Sequence, residues 1–135
     1  MDFETLNVMS HQLLAGHLGI TFLSAAEGRS EAEMTIQPFH MAPNGFLHLG
    51  SIVTLADSAC GHGCALYLPE GASGFTTVEM KSNHLGTAQE GTLHCEATAL
   101  HRGSSTQVWD AVVRHRERDK KIAVFRCTQM ILYPR

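Results

Sequence analysis

Two side chains on one predicted helix have the chemistry needed for hydrolysis, namely His48 at the start of the helix and Asp57 in its body. A carboxylate can attack an acyl carbon, or it can activate a water molecule to do so. The N–H groups of Leu49 and Gly50 lie at the predicted helix N-terminus, where backbone donors can stabilise a developing oxyanion. These residue types therefore predict a site for hydrolysis of an acyl compound.

Spacing alone leaves simpler interpretations open. Asp57 could be a solvated carboxylate on a polar stripe, and His48 could only cap a loop. The stripe would also contain Ser51, Thr54 and Ser58.

If both residues take part in catalysis, their separation indicates that two chains are needed. Nine residues of helix separate their side chains by about 13.5 Å and by half a revolution, whereas reacting groups must converge to about 3 Å. A two-fold axis would place the helix start of one subunit beside the middle of its partner's helix. The competing hypothesis is a bend after His48 that lets both groups meet within one chain.

The cysteine and histidine spacing on this helix does not predict a metal site. Cys60 and Cys64 share a helix face, whereas His62 points about 200° away. Because a structural zinc site needs four ligands, we expect all four thiols to pack as small apolar side chains. No ligand spacing is evident at His84, His94, His101 and His115. We expect no metal and no redox cofactor.

The stretch from Pro43 to Leu68 organises the predicted fold. It opens with turn-forming residues and continues with apolar residues at helical spacing, which predicts a helix buried over a wide face. Small residues in its middle would let another segment approach closely, and Pro69 is expected to end it. The small residues are Ala56, Ser58, Ala59, Cys60, Gly61 and Gly63.

Shorter elements flank this helix. Residues 3–16 predict a helix ending near Gly16, with one apolar face made of Phe3, Leu6, Met9, Leu13 and Leu14. Strands are predicted at 20–26, 29–36, 75–85, 92–101, 105–116 and 122–133. The last four are so closely spaced that they must be antiparallel. One helix wrapped by one such sheet is the hot-dog architecture, an α+β fold, with residues 1–135 as a single domain.

Composition excludes several classes of protein. The 135 residues are 44% apolar and 17% charged, which is typical of a globular domain. A net charge of −3 argues against nucleic acid as a partner. No apolar run has the length of a membrane span and no basic signal region opens the chain, so we expect a cytoplasmic protein. A single sheet of this kind leaves apolar surface uncovered, which predicts a homodimer.

Residues 45–57, GFLHLGSIVTLAD, allow a more specific identification. They resemble the signature of hot-dog acyl-CoA thioesterases of the phenylacetic-acid-degradation type, in which His-Gly-Gly is followed by Leu-(Ala/Val)-(Asp/Glu). NHLGTAQEG at 83–91 resembles a turn of that family, and HRGSSTQVW at 101–109 resembles the start of one of its strands. The resemblance covers most of the chain.

The resemblance implies a role for each matching residue. Asp57 becomes the expected nucleophile or general base, and His48 is expected to orient the substrate. The Leu49 N–H would polarise the thioester carbonyl, and Thr77 would position water, although a threonine in a strand needs no special explanation. The resemblance implies substrate contacts for Gly50 and Asn83. It implies contacts with the coenzyme A phosphates for Arg102, Gly103 and Ser104. The resemblance also implies a dimer of dimers.

Two positions depart from the family pattern. Leu49 replaces a glycine, which keeps the N–H but adds a side chain beside it. Ala42 replaces an Asn or Gln six residues before the histidine, and Asn44 is two residues out of register. Both departures bear on the rate or the substrate range more than on the fold.

These observations predict an acyl-CoA thioesterase that acts on a small or aromatic acyl group, with coenzyme A as part of the substrate and no cofactor. Two rivals stay open. A hot-dog hydratase or dehydratase would use a histidine and an acid within a different motif. A non-catalytic acyl-CoA-binding sensor would keep the fold; Leu49 and Ala42 favour it, whereas Asp57 counts against it.

Overall fold

The computed structural model describes all 135 residues and consists of a six-stranded antiparallel sheet wrapped around one long helix. The strand order is β1-β2-β4-β5-β6-β3, and the predicted α+β hot-dog architecture is confirmed. No helix has the length and hydropathy required to cross a bilayer. In chain order the elements are α1 (Phe3–His11), α2 (Leu14–His17), β1 (Ile20–Ala26), β2 (Arg29–Thr35), a 3-10 turn (Pro38–His40), α3 (Leu49–Leu66), β3 (Gly74–His84), β4 (Thr92–Arg102), β5 (Thr106–His115) and β6 (Lys120–Leu132).

The central helix α3 lies against all six strands. Its buried face carries small and apolar residues, and the large neighbour that they admit is the indole of Trp109 on β5. A Cβ added to Gly63 would lie 2.4 Å from an indole carbon, so only glycine allows this contact. The small residues in the middle of the stretch are therefore explained by packing, as the sequence predicted. All four cysteines are free and buried.

The start of α3 agrees with the prediction, whereas its end comes early. The helix begins at Leu49, directly after its predicted entrance at His48, and the turn-forming residues before it lie in a loop closed by a bridge between Met41 and Leu47. It ends at Leu66, ahead of Pro69. The residue before a proline is disfavoured in the helical region, which accounts for the earlier end.

The prediction of one helix over residues 3–16 is wrong. α1 ends at His11, Leu13 is extended with φ −107° and ψ −170°, and α2 then turns back. Gly16 lies inside α2, where a Cβ would come 1.8 Å from the carbonyl oxygen of His11. The glycine permits this sharp reversal instead of ending a helix. Leu13 and Leu14 are consequently exposed rather than packed.

Strand β3 lies at one edge of the sheet and pairs only with β6, although β4 follows it in the chain. Its other side, 11 residues long, is unpaired. Val78 on this strand is 52% exposed. An unpaired strand of this length is a template for pairing with another chain.

Candidate active site

Asp57 lies on the side of α3 that faces β3. The residue is exposed in the isolated chain, but atoms of the helix and the sheet crowd its carboxylate. This partial loss of solvent raises the pKa of Asp57, while a hydrogen bond from Thr77 acts in the opposite direction. The carboxylate is therefore a stronger base than a free aspartate, as a general base requires.

Thr77 on β3 is the nearest polar neighbour of this carboxylate. Its Oγ1 lies 3.4 Å from Oδ1 of Asp57 and 2.6 Å from Oε1 of Gln129 on β6. The ladder between β3 and β6 is irregular between Thr77 and Glu79, and such bulges redirect side chains near functional sites. The structure thus brings together two residues that the sequence placed at the site. Gln129 was missed, because a glutamine within a strand carries no signal of its own.

A cavity of about 230 Å³ opens beside Asp57 and is lined by residues of α1, α2, α3, β1 and β3. Its apolar walls include Leu6, Phe22 and Phe75. The contribution of α1 was not predicted, since no pattern in the sequence places that helix beside Asp57. A larger hollow of about 370 Å³ lies on the outer face of the sheet, away from Asp57.

His62 lines the same cavity and is neutral. Its ring stacks on Phe22 with centroids 3.4 Å apart, and its Nε2 lies 3.1 Å from Oδ1 of Asn7 on α1. Burial lowers the pKa of His62 to about 4, against a smaller opposing effect of the Ser58 carbonyl. The cavity therefore holds one potential carboxylate charge, that of Asp57, and no permanent cation.

The start of α3 presents a second set of groups. His48 is the N-cap residue, and its Nδ1 accepts a hydrogen bond from the Gly50 N–H at 2.8 Å. Neutral His48 must then carry its proton on Nε2, which makes the exposed ring a donor. A Cβ at position 50 would lie 3.0 Å from Nδ1, so the glycine lets the ring fold back over the helix end.

This cap changes the expectation for two backbone donors. The Gly50 N–H, predicted to bind substrate, is already occupied by His48. The Leu49 N–H donates to no acceptor in the chain. The Leu49 side chain beside it is 53% exposed. The free donors at the helix start are therefore the Leu49 N–H and His48 Nε2–H.

The helix start and Asp57 do not meet within one chain. α3 is continuous from Leu49 to Leu66, so His48 and Asp57 lie about 13.5 Å apart along its axis. The alternative of a bend after His48 that brings them together is not observed.

The remaining predicted substrate contacts lie elsewhere. Arg102 donates to Glu27 Oε1 at 2.9 Å and to the Tyr67 carbonyl at 2.6 Å, which ties it to the C-terminal end of α3. The Gly103 N–H closes a turn to the Thr106 carbonyl. The Ser104 carbonyl accepts a hydrogen bond from Tyr133. Their contacts with coenzyme A phosphates stay predictions, and the guanidinium of Arg102 would have to share its donors with two existing partners.

Asn83 is also distant from the carboxylate. It lines the hollow on the outer face of the sheet, together with Lys81 and Arg126. The structure therefore does not bring it to Asp57. No group of three His, Cys, Asp or Glu side chains is arranged as metal ligands would be.

Comparison with known proteins agrees with this geometry. Residues 44–122 match the thioesterase superfamily. The chain is 32% identical over 111 residues to a 1,4-dihydroxy-2-naphthoyl-CoA hydrolase of Listeria monocytogenes, covering 82% of this chain and 89% of that protein. It is 30% identical over 113 residues to the proofreading thioesterase EntH of Klebsiella pneumoniae, covering 84% and 82%.

A solved structure extends the similarity to the whole fold. The crystal structure of the thioesterase HI1161 from Haemophilus influenzae superimposes with a TM-score of 0.88 at 30% identity, covering 98% of this chain and 92% of that one. The family match spans more than half of the sequence, and both relatives exceed two thirds coverage at 30% identity or more. The chain therefore belongs to the thioesterase superfamily and is a thioester hydrolase.

Proposed function

We propose that this protein hydrolyses the thioester bond of an acyl-coenzyme A whose acyl group is small or aromatic, releasing the free acid and coenzyme A. The observation that carries the proposal is the Asp57 carboxylate, with a raised pKa, at an apolar-walled cavity. Relatives named as a naphthoyl-CoA hydrolase and a proofreading thioesterase support the reaction class.

The chemical step requires a base or nucleophile and a donor for the carbonyl oxygen. Asp57 attacks the acyl carbon directly or removes a proton from an attacking water molecule. As the tetrahedral intermediate forms, the Leu49 N–H and His48 Nε2–H stabilise the charge on the oxygen. Collapse of the intermediate breaks the carbon–sulfur bond, and the leaving thiolate takes up a proton to become the coenzyme A thiol. If water attacked, Asp57 returns the proton that it removed and the free acid is released in the same step. If Asp57 attacked, the acyl group stays on its carboxylate as an anhydride, which water then hydrolyses to the free acid.

The cavity suits a compact acyl group. At about 230 Å³ it falls below the usual 300 to 1,000 Å³ of sites for drug-sized ligands. Its walls of Leu6, Phe22 and Phe75 favour an apolar or aromatic group over a charged one. Ser10 and His62 add polar atoms to the lining.

We propose that the site is completed by a second copy of the chain. The two sets of groups are too far apart within one α3, and the unpaired edge of β3 lies beside Asp57. Pairing of two chains along β3 would bury Val78 and satisfy the free backbone groups of that edge. Each site would combine His48 and Leu49 of one chain with Asp57 of the other, and pairs could assemble further into the tetramer that the resemblance implies.

The test is thiol release from a panel of acyl-CoA thioesters graded from short aliphatic to bicyclic aromatic groups. We expect release of one thiol per acid formed, and release at least ~10²-fold slower with the Asp57→Asn variant. If the wild-type protein binds acyl-CoA in calorimetry but releases no thiol, it is a sensor and the proposal is wrong. If an enoyl-CoA is consumed without thiol release, it is a hydratase.

A further inference from the structure

A row of three polar side chains crosses the sheet behind Asp57. Thr77 on β3 is the register partner of Gln129 on β6, which is in turn the partner of Gln107 on β5. Both glutamines are 0% exposed. Burial of an amide costs free energy unless its donors and acceptor are hydrogen-bonded, so apolar packing alone would favour other residues at these positions.

The hydroxyl of Thr77 stands between two acceptors. Asp57 Oδ1 and Gln129 Oε1 both face its Oγ1, yet a hydroxyl carries one proton. If that proton goes to Gln129, the ionised carboxylate loses its only hydrogen bond from this chain. The nitrogen and oxygen of an amide have nearly the same shape, and hydrogen bonding decides which occupies each place. With Gln129 turned, Nε2–H donates to Thr77 Oγ1 and the Thr77 O–H is free to donate to Asp57.

Two neighbours favour the turned amide. Gln107 accepts from the Trp109 indole N–H at 2.8 Å through Oε1, but its buried Nε2 has no partner. Cys127 Sγ lies 3.7 Å from the end of the Gln129 amide that does not face Thr77. Turning Gln129 places an oxygen at that end, where the Cys127 thiol is a donor, and toward β5, the strand that carries the unpaired Gln107 N–H.

We propose that Gln129 is a positioning residue that directs the Thr77 hydroxyl toward Asp57. Its amide N–H donates to Thr77 Oγ1, and the Thr77 O–H then donates to one carboxylate oxygen. The other oxygen is left free for water or the acyl carbon. This inference rests on the proposed role of Asp57 in thioester hydrolysis.

Few charged groups surround Asp57, so the effect of its hydrogen bond to Thr77 can be measured as a change in the Asp57 pKa. His62 in the same cavity is neutral, and behind it the titratable neighbours are the thiols of Cys60 on α3 and Cys127 on β6. No lysine, arginine or second carboxylate lines the cavity. Within one chain the Thr77 hydroxyl is the group that opposes the rise in the pKa of Asp57 caused by burial. Its loss must raise that pKa further.

The test compares Gln129→Met with Gln129→Glu and follows both kcat and the Asp57 carboxyl by ¹³C NMR titration. Methionine fills the space without a donor. We expect kcat to fall about tenfold with little change in KM, which is less than the loss of the general base itself because Asp57 is still present. Glutamate in its ionised form offers only an acceptor to Thr77 and adds a like charge. It is expected to shift the acid limb of kcat/KM and the Asp57 titration to higher pH by more than the methionine does.

Two controls separate positioning from structure. Gln107→Met alters an equally buried glutamine that bonds Trp109 rather than Thr77. It should lower the melting temperature and move the Asp57 titration less than Gln129→Met does, because the Gln129 donor to Thr77 is still present. Thr77 is exposed within the chain, so we expect Thr77→Val and Thr77→Ser to fold. These two variants therefore test the proposal even if the Gln129 variants fail to fold. Valine should raise the Asp57 pKa and serine should restore it. In the Thr77→Val background, Gln129→Met should have no further effect on kcat.

The result that overturns the inference is an unchanged Asp57 titration in Thr77→Val, or in Gln129→Met if that variant folds. Additive losses of kcat in the double variant would overturn it as well. Failure of the proposed function looks different, because Asp57→Asn would then retain activity or the wild-type protein would release no thiol. The NMR titration does not depend on activity and distinguishes the two.

Discussion

The start and the middle of α3 both carry functional groups, but the chain supports them in different ways. At the start, three consecutive residues suffice: His48 caps the helix, Gly50 makes room for its ring, and Leu49 leaves its N–H free. In the middle, Asp57 depends on Thr77 and Gln129 from two strands that follow much later in the chain. The first set is local and exposed, whereas the second is long-range and partly desolvated. The hydrogen-bond donors at the helix start can therefore be predicted from a short sequence motif, but the surroundings that set the pKa of Asp57 cannot.

The largest effect is expected from removal of the carboxylate in the middle of the helix. Asp57→Asn keeps the shape but removes the base or nucleophile, so kcat should fall by at least ~10²-fold with little change in KM. Steady-state kinetics with the best acyl-CoA of the panel measure it. A variant that retains more than about a third of the wild-type kcat contradicts the assignment.

The same variant has an expected effect on stability. The pKa of Asp57 is higher in the folded chain than in the unfolded chain. Its ionisation therefore disfavours the folded state. The free energy of unfolding falls as the pH rises from the unfolded-state pKa of Asp57 to its higher folded-state pKa. Asp57→Asn should be at least as stable as the wild type at neutral pH, and thermal unfolding at pH 4 and pH 7 measures the difference. A loss of stability confined to pH 7 would show that the charge is stabilised rather than desolvated.

The buried His62 beside the middle of α3 is expected to make the stability of the fold depend on pH. His62 has a folded pKa of about 4, against an ordinary histidine pKa of 6.5. The unfolded chain therefore binds a proton between these values that the folded chain does not. The contribution of neutral His62 to the free energy of unfolding is fully present above pH 6.5. It falls by about 3 kcal/mol as the pH drops to 4.

His62→Gln tests this origin of the pH dependence. Glutamine can still bond to Asn7 but does not titrate, so the variant should lose most of the fall in stability between pH 6.5 and 4. His101→Gln changes an exposed histidine and serves as the matched control. An unchanged slope in His62→Gln would mean that His62 is not held neutral by burial.

The smallest effect is expected at the helix start. Leu49→Gly keeps the N–H and removes the exposed side chain beside it, although glycine also loosens the first helical turn. We expect a several-fold gain in kcat/KM for the bulkiest acyl groups relative to the smallest. This is less than the roughly 10- to 200-fold of one methylene in an enclosed pocket, because the Leu49 side chain is half-exposed. The same ratios across the size series in both proteins would show that Leu49 does not restrict the entrance.

The features that could be predicted from the sequence are the local ones, and the features that were missed depend on contacts between distant residues. Periodicity identified α3 and the strands, because buried faces impose their spacing directly on the chain, and the motif around His48 marked the helix start. The break after His11 was missed because it depends on Gly16 packing against a carbonyl, a contact that periodicity does not report. Gln129 and the α1 wall of the cavity were missed for a related reason. Their positions follow from strand order and packing, which place residues far apart in sequence side by side.

The central claim is that one catalytic site takes its donors from the helix start of one chain and its carboxylate from the helix middle of another. Co-expression of His48→Ser with Asp57→Asn under two different tags, followed by two-step purification, yields the mixed dimer. Serine is chosen because it also caps helices, so the helix start is preserved, and each homodimer must first be shown to be inactive. In the shared arrangement one site of the mixed dimer carries both defects and the other carries none, so about half of the wild-type activity per dimer is expected for independent sites. A pure mixed dimer without activity would contradict the shared site and place the reaction within one chain.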